Sequence, residues 1–391
     1  MMRKVAIVGG GAAKAGKREA SWRDLVQEAG KALFEDVENL SPKDVDSIFV
    51  GAAQPERFAF LSYVAPLVAE HIGVTPRKVL ARTELACVSG QAAIRYAWNC
   101  VATGMSDIAV AIGVEKMHPP DMAEAQSTMA CVLDREWDGV NSFSAPPFFA
   151  VTAQRHMHEF GTTQEQMALV SVKNHHYSSM NPIAHLQKEV TVEAVLNSPM
   201  VSPPLNLFDC CPMTDGSAGI ILVPAEEAKR YTDTPMYPLG SGQCAIGNAI
   251  NNLASLTDWV PLRLAAQEAW RTAKITKEDV DIAEVHDCFT ISEIMEYEGL
   301  GFCQKGRGGE FVEEGEPYIG GKVAVNPSGG IMGCGHPLGA TSIYHTIELL
   351  KQFRGQVAKG RYVKEAEIGI QHSLSGAANQ HSIIVYGRHP R

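Results

Sequence analysis

One cysteine stands where its thiol could act as a nucleophile. Cys87 follows a short apolar approach in TELACVSG and precedes a small first turn, Val88 to Gly90, of a predicted helix. A helix N-terminus combines the positive end of the helix dipole with free backbone N–H groups, and both lower the pKa of a thiol. The same N–H groups can bind an oxyanion. The pattern predicts a nucleophilic Cys87, and a buried packing cysteine is the alternative.

A histidine in a glycine-rich loop is the matching base. His336 lies in NPSGGIMGCGHPLGATS, directly before the amphipathic segment ATSIYHTIELL. The glycines let the backbone approach a ligand closely, and Pro337 restricts His336 toward extended conformations. A thiol with an imidazole base is the pattern for covalent acyl transfer. We therefore predict that His336 is functional, whereas Cys334, two residues earlier, is better explained by packing.

A second thiol lies in VHDCFTISEI, between Val285 and Ile294. If this segment is a strand, His286 and Cys288 point to one face and Asp287 to the other. Packing is one explanation, because free cysteine is among the most buried residue types. A simple cysteine hydrolase has no use for a second thiol. A reaction that protonates and deprotonates a carbon acid does, and this favours a chemical role for Cys288.

The elements that position these residues alternate between helices and strands. VAIVGG and VDSIFVG are predicted strands around a helix that begins near Ser21, and AAIRYAWNCVATG is a helix followed by the strand DIAVAIGVE. Such alternation of helices with fully apolar strands predicts an α/β sheet covered on both faces. Residues 117–205 differ: they are rich in Pro, Met, Phe and His and contain one clear helix, TTQEQMALVSVKNHHYSS. We predict an inserted subdomain that covers a ligand.

The two halves of the chain share a short internal repeat. SPKDVDSIFVG (Ser41 to Gly51) matches TKEDVDIAEVH (Thr276 to His286), and each follows an amphipathic helix. Each begins with Ser or Thr and has Asp three residues later, which resembles a capping box before a strand. The repeat predicts two related α/β halves, in agreement with the length of 391 residues.

Composition excludes several classes of function. The 45% hydrophobic and 20% charged residues are typical of a soluble globular protein, and the net charge of −10 argues against nucleic acid or a membrane surface as partner. No run approaches about 18 apolar residues, so we expect a cytoplasmic protein. The nine cysteines include no C-x-x-C, which predicts free thiols and no metal site.

The motifs GVEKM, MTDGSAG, HDCF, NPSGG and GCGHPLGATS stand in one order along the chain. In this order they resemble the thiolase superfamily, and HDCF with GHP resembles its sterol-carrier-protein-type and archaeal acetyl-CoA C-acyltransferase members. The resemblance implies a five-layered αβαβα fold of two duplicated halves with an inserted loop subdomain. The implied boundaries are 1–116 plus about 206–235 for the first half, 117–205 for the insertion and 236–391 for the second half.

The resemblance also implies roles for individual residues. Cys87 looks like the acyl-accepting nucleophile, His336 like its base, and Cys288 like the thiol that protonates the enolate. His286 and His336 would hold the enolate oxygen. The backbone N–H groups implied for the oxyanion are those of Cys87, Ser375 and Gly376.

The sequence departs from the commonest thiolases at two motifs. Those carry Asn-Glu-Ala-Phe in place of HDCF and a second catalytic cysteine in a C-terminal Cys-x-Gly motif. Here the C-terminal position is Ser373-Leu374-Ser375, so the usual acid/base thiol is missing. In sterol-carrier-protein-type thiolases the cysteine of HDCF takes that place, which points to Cys288, although a glycine is usual at the position of Ser375.

The implied activity is transfer of an acyl group between a 3-oxoacyl-CoA and CoA. Coenzyme A is then a substrate, no covalently bound cofactor is needed, and a homodimer or dimer of dimers is expected. The acyl group and the direction stay open, with fatty-acid or aromatic degradation as the setting. A bulky or aromatic 3-oxoacyl-CoA, handled together with a small zinc-ribbon/OB-fold partner protein, is an alternative. Met117, Phe143, Phe148 and Phe149 either line the acyl pocket or belong to the core under the insertion.

Four other functions compete with this one. A nicotinamide oxidoreductase would use KVAIVGGGAAKAG as a dinucleotide loop, but Lys14 stands where the third glycine belongs. A cysteine hydrolase leaves Cys288 without a role. A non-catalytic homologue does not need the four reactive residues together. A retro-aldolase of this family tends to lose the nucleophilic cysteine, which this chain keeps.

Overall fold

A computed structural model describes residues 2–118, 122–139, 144–247 and 249–391. Its strands are β1 (Val5–Ala12), β2 (Ser47–Gly51), β3 (Val79–Thr83), β4 (Ala109–Glu115), β5 (Met200–Ser202), β6 (Leu205–Asn206), β7 (Gly216–Pro224), β8 (Tyr237–Ala245), β9 (Ile282–Glu284), β10 (Ala324–Val325), β11 (Ile368–Ser375) and β12 (Gln380–Gly387). Its helices are α1 (Trp22–Glu35), α2 (Pro55–Phe58), α3 (Val64–His71), α4 (Ser89–Thr103), α5 (Met122–Met129), α6 (Ala145–Phe160), α7 (Gln164–Ser179), α8 (Val192–Leu196), α9 (Val260–Ala273), α10 (Thr290–Gly299), α11 (Gly308–Glu313), α12 (Gly330–Cys334) and α13 (Thr341–Arg354).

Two five-stranded sheets with the same topology form the frame. The first has the order β1-β7-β4-β2-β3 and the second β8-β12-β11-β9-β10. In each sheet the second, third and fourth strands along the half-chain pair in parallel, and the first and fifth complete the sheet with antiparallel pairs. This identity of strand order and direction confirms the duplicated halves that the repeat predicted.

The sheets and helices stack in five layers. Helices α1 and α3 cover the outer face of the first sheet, and α9 covers the second sheet at β8 and β12. Helix α13 lies between the sheets, where it contacts β7 and β1 on one side and β11 on the other, and α4 packs beside it. Three clusters of buried apolar side chains fill the spaces between these layers. The segments that precede α4 and α13, which carry Cys87 and His336, therefore lie next to the layer between the two sheets.

The matched repeat has the same local structure in both halves. Ser41 and Thr276 are each the N-cap residue of a single 3₁₀ turn. Their backbone N–H groups donate to the side chains of Asp44 and Asp279 at 2.8 and 2.7 Å, respectively. The strands β2 and β9 follow directly. The capping predicted from Ser or Thr with Asp three residues later is confirmed.

Two predicted elements were wrong. The segment VHDCF is not a strand: β9 ends at Glu284, a tight turn follows in which the Cys288 N–H donates to the His286 carbonyl at 2.8 Å, and α10 begins at Thr290. The segment from 145 to 160, for which no helix was predicted, is the helix α6. Its two prolines stand in the first turn, where a missing N–H costs no hydrogen bond.

The glycines of β1 serve packing. A Cβ atom at Gly11 would lie 2.0 Å from the backbone nitrogen of Leu33, and one at Gly9 would lie 2.3 Å from a Val37 methyl carbon. These glycines let α1 approach β1 closely, which explains the apparent dinucleotide loop without a ligand. None of the helices within the described ranges is both long enough and apolar enough to span a bilayer.

Candidate active site

Cys87 sits in a tight turn at the entrance of α4. Ala86 has a φ of 48°, which an alanine adopts only when its surroundings hold it there. Those surroundings include Ser89, whose hydroxyl donates to the Ala86 carbonyl at 2.7 Å and accepts from the Leu85 N–H at 2.9 Å. The strained turn presents Cys87 at the end of the sheet.

The pKa expected for Cys87 was wrong in direction. Burial raises the pKa of the Cys87 thiol to about 12, and the Glu115 and Glu84 carboxylates add to that rise. The loss of hydration destabilises a buried thiolate more than the dipole and N–H groups of the first helical turn stabilise it. The resting group is therefore a neutral thiol, and it needs a base to become a nucleophile.

The loop that carries His336 is wedged between the two halves. Three glycines of the first half, Gly51, Gly90 and Gly113, all approach the carbonyl oxygen of Gly339. Added Cβ atoms at these positions would lie 2.6, 2.6 and 2.1 Å from that oxygen. Any larger side chain would push the loop outward. Because these three residues are glycines, the His336 loop can pack closely against the first half, toward Cys87.

A threonine sets the tautomer of His336. The Thr341 hydroxyl donates to the Pro337 carbonyl at 3.0 Å, so its oxygen accepts from the Nδ1–H of His336 at 2.8 Å. Burial lowers the pKa of His336 to about 3, which keeps the ring neutral. Nε2 then carries the lone pair. His336 is prepared as a proton acceptor.

Replacing Thr341 by valine should lower kcat about tenfold or more, because the His336 ring loses the acceptor that fixes its tautomer. Thr341→Ser retains the hydroxyl and should recover most of the activity. The KM for CoA should change little in either variant, since Thr341 is 1% exposed and lies behind the histidine. Steady-state kinetics of the three proteins measure this. Equal kcat for valine and wild type would contradict the assignment.

Cys87, His286 and His336 converge. The Cys87 sulfur and one ring nitrogen from each histidine all lie within 4.8 Å of one another. The two imidazole rings meet edge to face, with centroids 4.8 Å apart. His286 is fully buried, and within the described ranges neither of its ring nitrogens has a hydrogen-bond partner. A buried polar group without a partner is costly unless a ligand satisfies it.

Cys288 is buried close to the same centre. Its sulfur lies 3.5 Å from the Ser292 hydroxyl. Burial raises the pKa of Cys288 well above its usual range, and the nearby Cys211 and Cys87 thiols contribute to the rise. Cys211 is half-buried, and its backbone N–H donates to the Cys288 carbonyl at 3.0 Å. Three thiols therefore surround the site, and Cys288 is predicted to be the acid/base group among them.

Ser373 stands at the position of the expected C-terminal cysteine, and its hydroxyl is already hydrogen-bonded to two other side chains. The Ser373 hydroxyl lies 2.9 Å from the Ser342 hydroxyl on α13 and accepts from the Gln371 side chain at 2.8 Å. Ser375 ends β11, and Gly376 follows with a φ of 65°. The Cys87 turn packs against β11. The backbone N–H groups predicted for the oxyanion thus belong to neighbouring segments.

The alkylation rate of Cys87 should show no inflection between pH 5 and 9. With a thiol pKa near 12 and an imidazole pKa near 3, neither group titrates in that range, so the rate should rise steadily with pH as the thiolate fraction grows and should reach no plateau. Iodoacetamide labelling, quantified by mass spectrometry of the Cys87 peptide, measures the rate. A thiolate–imidazolium pair would instead give a plateau with an inflection at its own pKa.

Of the four predicted pocket residues, Phe143 lies outside the described residues, and the other three separate into two groups. Met117 is 1% exposed and belongs to a small apolar cluster with Phe58 and Leu338, against which Cys87 packs. Phe148 and Phe149 belong to the main core of the second half, where Phe149 stacks on Phe289 with ring centroids 4.5 Å apart. Met117 is therefore the one that borders the nucleophile.

Buried carboxylates fix the site loops by accepting hydrogen bonds from backbone N–H groups. Most of these carboxylates were not predicted from the sequence. Asp287 accepts from the Ile331 and Met332 N–H groups at 2.7 and 3.1 Å, and so caps α12 in the His336 loop. Asp215 of the TDG motif accepts from the Met117 N–H at 2.7 Å. Glu115 accepts from the Gly339 N–H at 3.0 Å. The only sequence signal for Glu115 is a charge ending an apolar strand.

Comparison of the sequence with models of known protein families indicates the class of reaction. Residues 5–226 match the model of the thiolase N-terminal domain, and residues 242–388 match that of the thiolase C-terminal domain-like family. The chain belongs to the thiolase family. It is an acyltransferase of the thiolase type, and coenzyme A is its substrate.

Several curated proteins are similar to nearly the whole chain. Acetyl-CoA acetyltransferase of Methanothermobacter thermautotrophicus is 42% identical over 388 residues, which cover 99% of this chain and 100% of that protein. Benzoylsuccinyl-CoA thiolase subunit BbsB of Thauera aromatica is 30% identical and covers 96% of this chain and 95% of that protein. Sterol carrier protein 2 of Gallus gallus is 30% identical over 96% of this chain and 70% of that protein.

Solved structures confirm the thiolase fold. The Ltp2-ChsH2(DUF35) aldolase superposes with a TM-score of 0.84 at 24% identity, over 99% of this chain and 98% of that one. Human mitochondrial 3-ketoacyl-CoA thiolase in complex with CoA gives a TM-score of 0.75 at 16% identity, over 98% of both chains. At these identities the likeness concerns the fold alone.

Proposed function

We propose that this thiolase transfers an acyl group between Cys87 and CoA, with His336 as the base and Cys288 as the acid/base thiol. The observation that carries the proposal is the convergence of the Cys87 sulfur with nitrogens of His286 and His336 within 4.8 Å. A neutral thiol and a neutral imidazole at that separation are the reactants of a proton transfer that creates the nucleophile.

In the cleavage direction the first half-reaction acylates Cys87. His336 takes the thiol proton, and the thiolate attacks the C3 carbonyl carbon of a 3-oxoacyl-CoA. The alkoxide that forms is held by the backbone N–H groups of Cys87, Ser375 and Gly376. Collapse breaks the C2–C3 bond, leaves the acyl group on Cys87, and releases the enolate of acetyl-CoA. The unpartnered ring nitrogens of buried His286 support a role in binding the enolate oxygen.

The second half-reaction returns the acyl group to CoA. Cys288 gives its proton to C2 of the enolate, and acetyl-CoA leaves. The Cys288 thiolate then takes the thiol proton of incoming CoA, whose sulfur attacks the acyl group on Cys87. Cys87 leaves as a thiolate and recovers its proton from His336. The high pKa that burial gives Cys288 supports this cycle, because it makes the thiolate a strong base.

We propose that residues 117–205 form the subdomain that covers the site, between a first half of 1–116 with about 206–235 and a second half of 236–391. Two contacts support it. Met117, at its start, packs beside Cys87, and Asn174 of α7 donates to Asp287 at 2.7 Å.

The acyl substrate we propose is a short 3-oxoacyl-CoA. Phe58, Met117 and Leu338 are all buried around Cys87 and leave it a small apolar surrounding. The acetyl-CoA acetyltransferases at 42% and 38% identity support this choice. A bulky or aromatic acyl group is the second candidate, which the similarity to the benzoylsuccinyl-CoA thiolase subunit supports.

A panel of acetoacetyl, medium-chain, branched and aromatic 3-oxoacyl-CoAs tests the choice. We expect the highest kcat/KM with acetoacetyl-CoA, and a preference for the aromatic thioester would establish the second candidate. The assay should be repeated with a zinc-ribbon/OB-fold protein, because the aldolase that shares this fold includes a DUF35 component. A partner-dependent gain in kcat/KM would establish such a subunit.

We propose that two copies associate along β3. This strand is at the edge of the first sheet, and the apolar side chains near it are exposed: Phe60, Tyr63, Leu80, Leu85 and Tyr96. An apolar edge strand invites pairing with a second copy.

Leu80→Glu should convert a dimer to a monomer, because it places a charge in the middle of that contact. Light scattering after size-exclusion chromatography measures the mass. Leu264→Glu is the matched control: Leu264 is comparably exposed but lies on α9, in the outer layer of the second half. Dissociation by the control alone would place the interface on the second half.

A further inference from the structure

A buried carboxyl group beside the candidate acid/base thiol has no role in the reaction described above. Glu296 lies on α10 and is 0% exposed, its oxygens form no well-aligned hydrogen bond among the described residues, and the His286 backbone N–H only partly offsets the rise in its pKa that burial causes. It is one of the groups that raise the pKa of Cys288. A fully buried, unpaired carboxylate would be very costly. Whether the Glu296 carboxyl is protonated therefore depends on the groups that surround it.

The neighbours form a chain of two buried imidazoles. His381 Nε2 lies 3.0 Å from the Ala378 carbonyl oxygen, and His372 Nε2 lies 3.0 Å from His381 Nδ1. The other end of the chain is His372 Nδ1, which lies 3.6 Å from Glu296 Oε1. Both rings are 0% exposed and stack with centroids 5.2 Å apart.

The direction of this chain is determined at its far end. A carbonyl oxygen only accepts, so His381 Nε2 carries a hydrogen and, in a neutral ring, His381 Nδ1 accepts. His372 Nε2 must then donate, which leaves a lone pair on His372 Nδ1. The facing group, Glu296, lies 3.6 Å away, just beyond hydrogen-bond distance, and after a small shift it can donate to this lone pair only if its carboxyl is protonated. Burial and the carboxylates of Asp287 and Glu293 raise the pKa of Glu296 well above its usual range, in agreement with that form.

The two ends of the chain lie at two parts of the site. Glu296 lies one turn of α10 beyond Ser292, whose hydroxyl is 3.5 Å from the Cys288 sulfur, and Ala378 belongs to the turn that follows Ser375 and Gly376. A carboxylate at this position would repel a Cys288 thiolate, whereas a neutral carboxyl does not. The chain thus joins the proton-transferring thiol to the backbone that is proposed to bind the alkoxide.

We propose that Glu296, His372 and His381 are positioning residues of the thiolase reaction, which keep a neutral carboxyl beside Cys288 and fix the 375–378 turn relative to it. This inference rests on the role proposed for Cys288. It predicts that the hydrogen-bonding form of residue 296 matters and that its charge does not.

The matched pair Glu296→Gln and Glu296→Leu tests it. The glutamine amide can donate to His372 as a protonated carboxyl can, and it is neutral, so kcat should stay within about threefold of wild type. The leucine breaks the chain, and kcat should fall about tenfold or more at unchanged KM. Exchange of the acetyl-CoA methyl protons with D2O, followed by NMR, should slow by the same factor as kcat.

Two further measurements separate positioning from a loss of structure. Iodoacetamide labelling of Cys87 needs no Cys288 and should keep its rate in both variants, whereas a distorted site would change it. If Glu296→Leu does not fold, His381→Phe breaks the chain from its other end and should give the same slowed exchange. An inactive Glu296→Gln, or unchanged exchange in the chain-breaking variant, would overturn the proposal. Unchanged exchange in Cys288→Ala would instead overturn the role proposed for Cys288.

Discussion

Replacing Cys87 by alanine should lower kcat by a factor on the order of 10⁴ or more, because the covalent intermediate can no longer form. The variant should still fold and bind substrate. Cys87 contributes a small half-buried side chain at a turn that Ser89 holds through its own hydrogen bonds. The loss should therefore appear in kcat with the thermal unfolding temperature nearly unchanged.

The same position should carry the acyl group in the wild-type protein. Rapid acid quenching during turnover, followed by peptide mass spectrometry, should find one acyl group on the Cys87 peptide and none on those with Cys211 or Cys288. Cys100→Ala is the matched control, since Cys100 is also half-buried but lies near the C-terminal end of α4, the helix that Cys87 precedes. An acyl group on another residue, or full activity without Cys87, would disprove the mechanism.

The duplicated fold could be predicted because its signals are local. Ser41 with Asp44 and Thr276 with Asp279 are capping patterns that read directly from the sequence, and both form as expected. The apolar strand β4 and the glycine-terminated helix α4 are equally local. Such features need no knowledge of which segments meet in space, so sequence patterns suffice.

The features that the sequence did not reveal depend on tertiary contacts. The pKa of Cys87 is raised because two halves of the chain enclose it, which outweighs the helix start visible in the sequence. The extended look of VHDCF concealed a turn, since only the packing of β9 and α10 decides where the strand ends. Thr341 and Glu296 are inconspicuous residues whose meaning comes from the histidines that they face.

The relation between Ser373 and Cys288 shows how the departure from the commonest thiolases is accommodated. Ser373 is held by Ser342 and Gln371. A serine hydroxyl is also a far weaker acid than a thiol. The proposed mechanism therefore assigns proton transfer to carbon to another thiol, and Cys288 and Cys211 both lie close enough to Cys87 for its charge to affect their pKa values.

Cys288→Ala should lower kcat by about 10²- to 10⁴-fold, the usual contribution of a positioned general acid/base. The substitution removes one sulfur from a buried place beside Ser292, so stability should fall only modestly. Cys87 keeps His336 and should still react with iodoacetamide at the wild-type rate. The variant would thus separate creation of the nucleophile from protonation of the enolate, which no substitution of Cys87 or His336 can do.

Cys211→Ala decides between the two thiols. Cys211 lies next to Cys288 but is less completely buried, so a proton that it delivers to carbon is less well shielded from water. We expect Cys211→Ala to keep kcat within about tenfold of wild type. Exchange of the acetyl-CoA methyl protons with D2O should stop in Cys288→Ala and continue in Cys211→Ala. The opposite pattern would assign the proton transfer to Cys211 and leave Cys288 a packing residue.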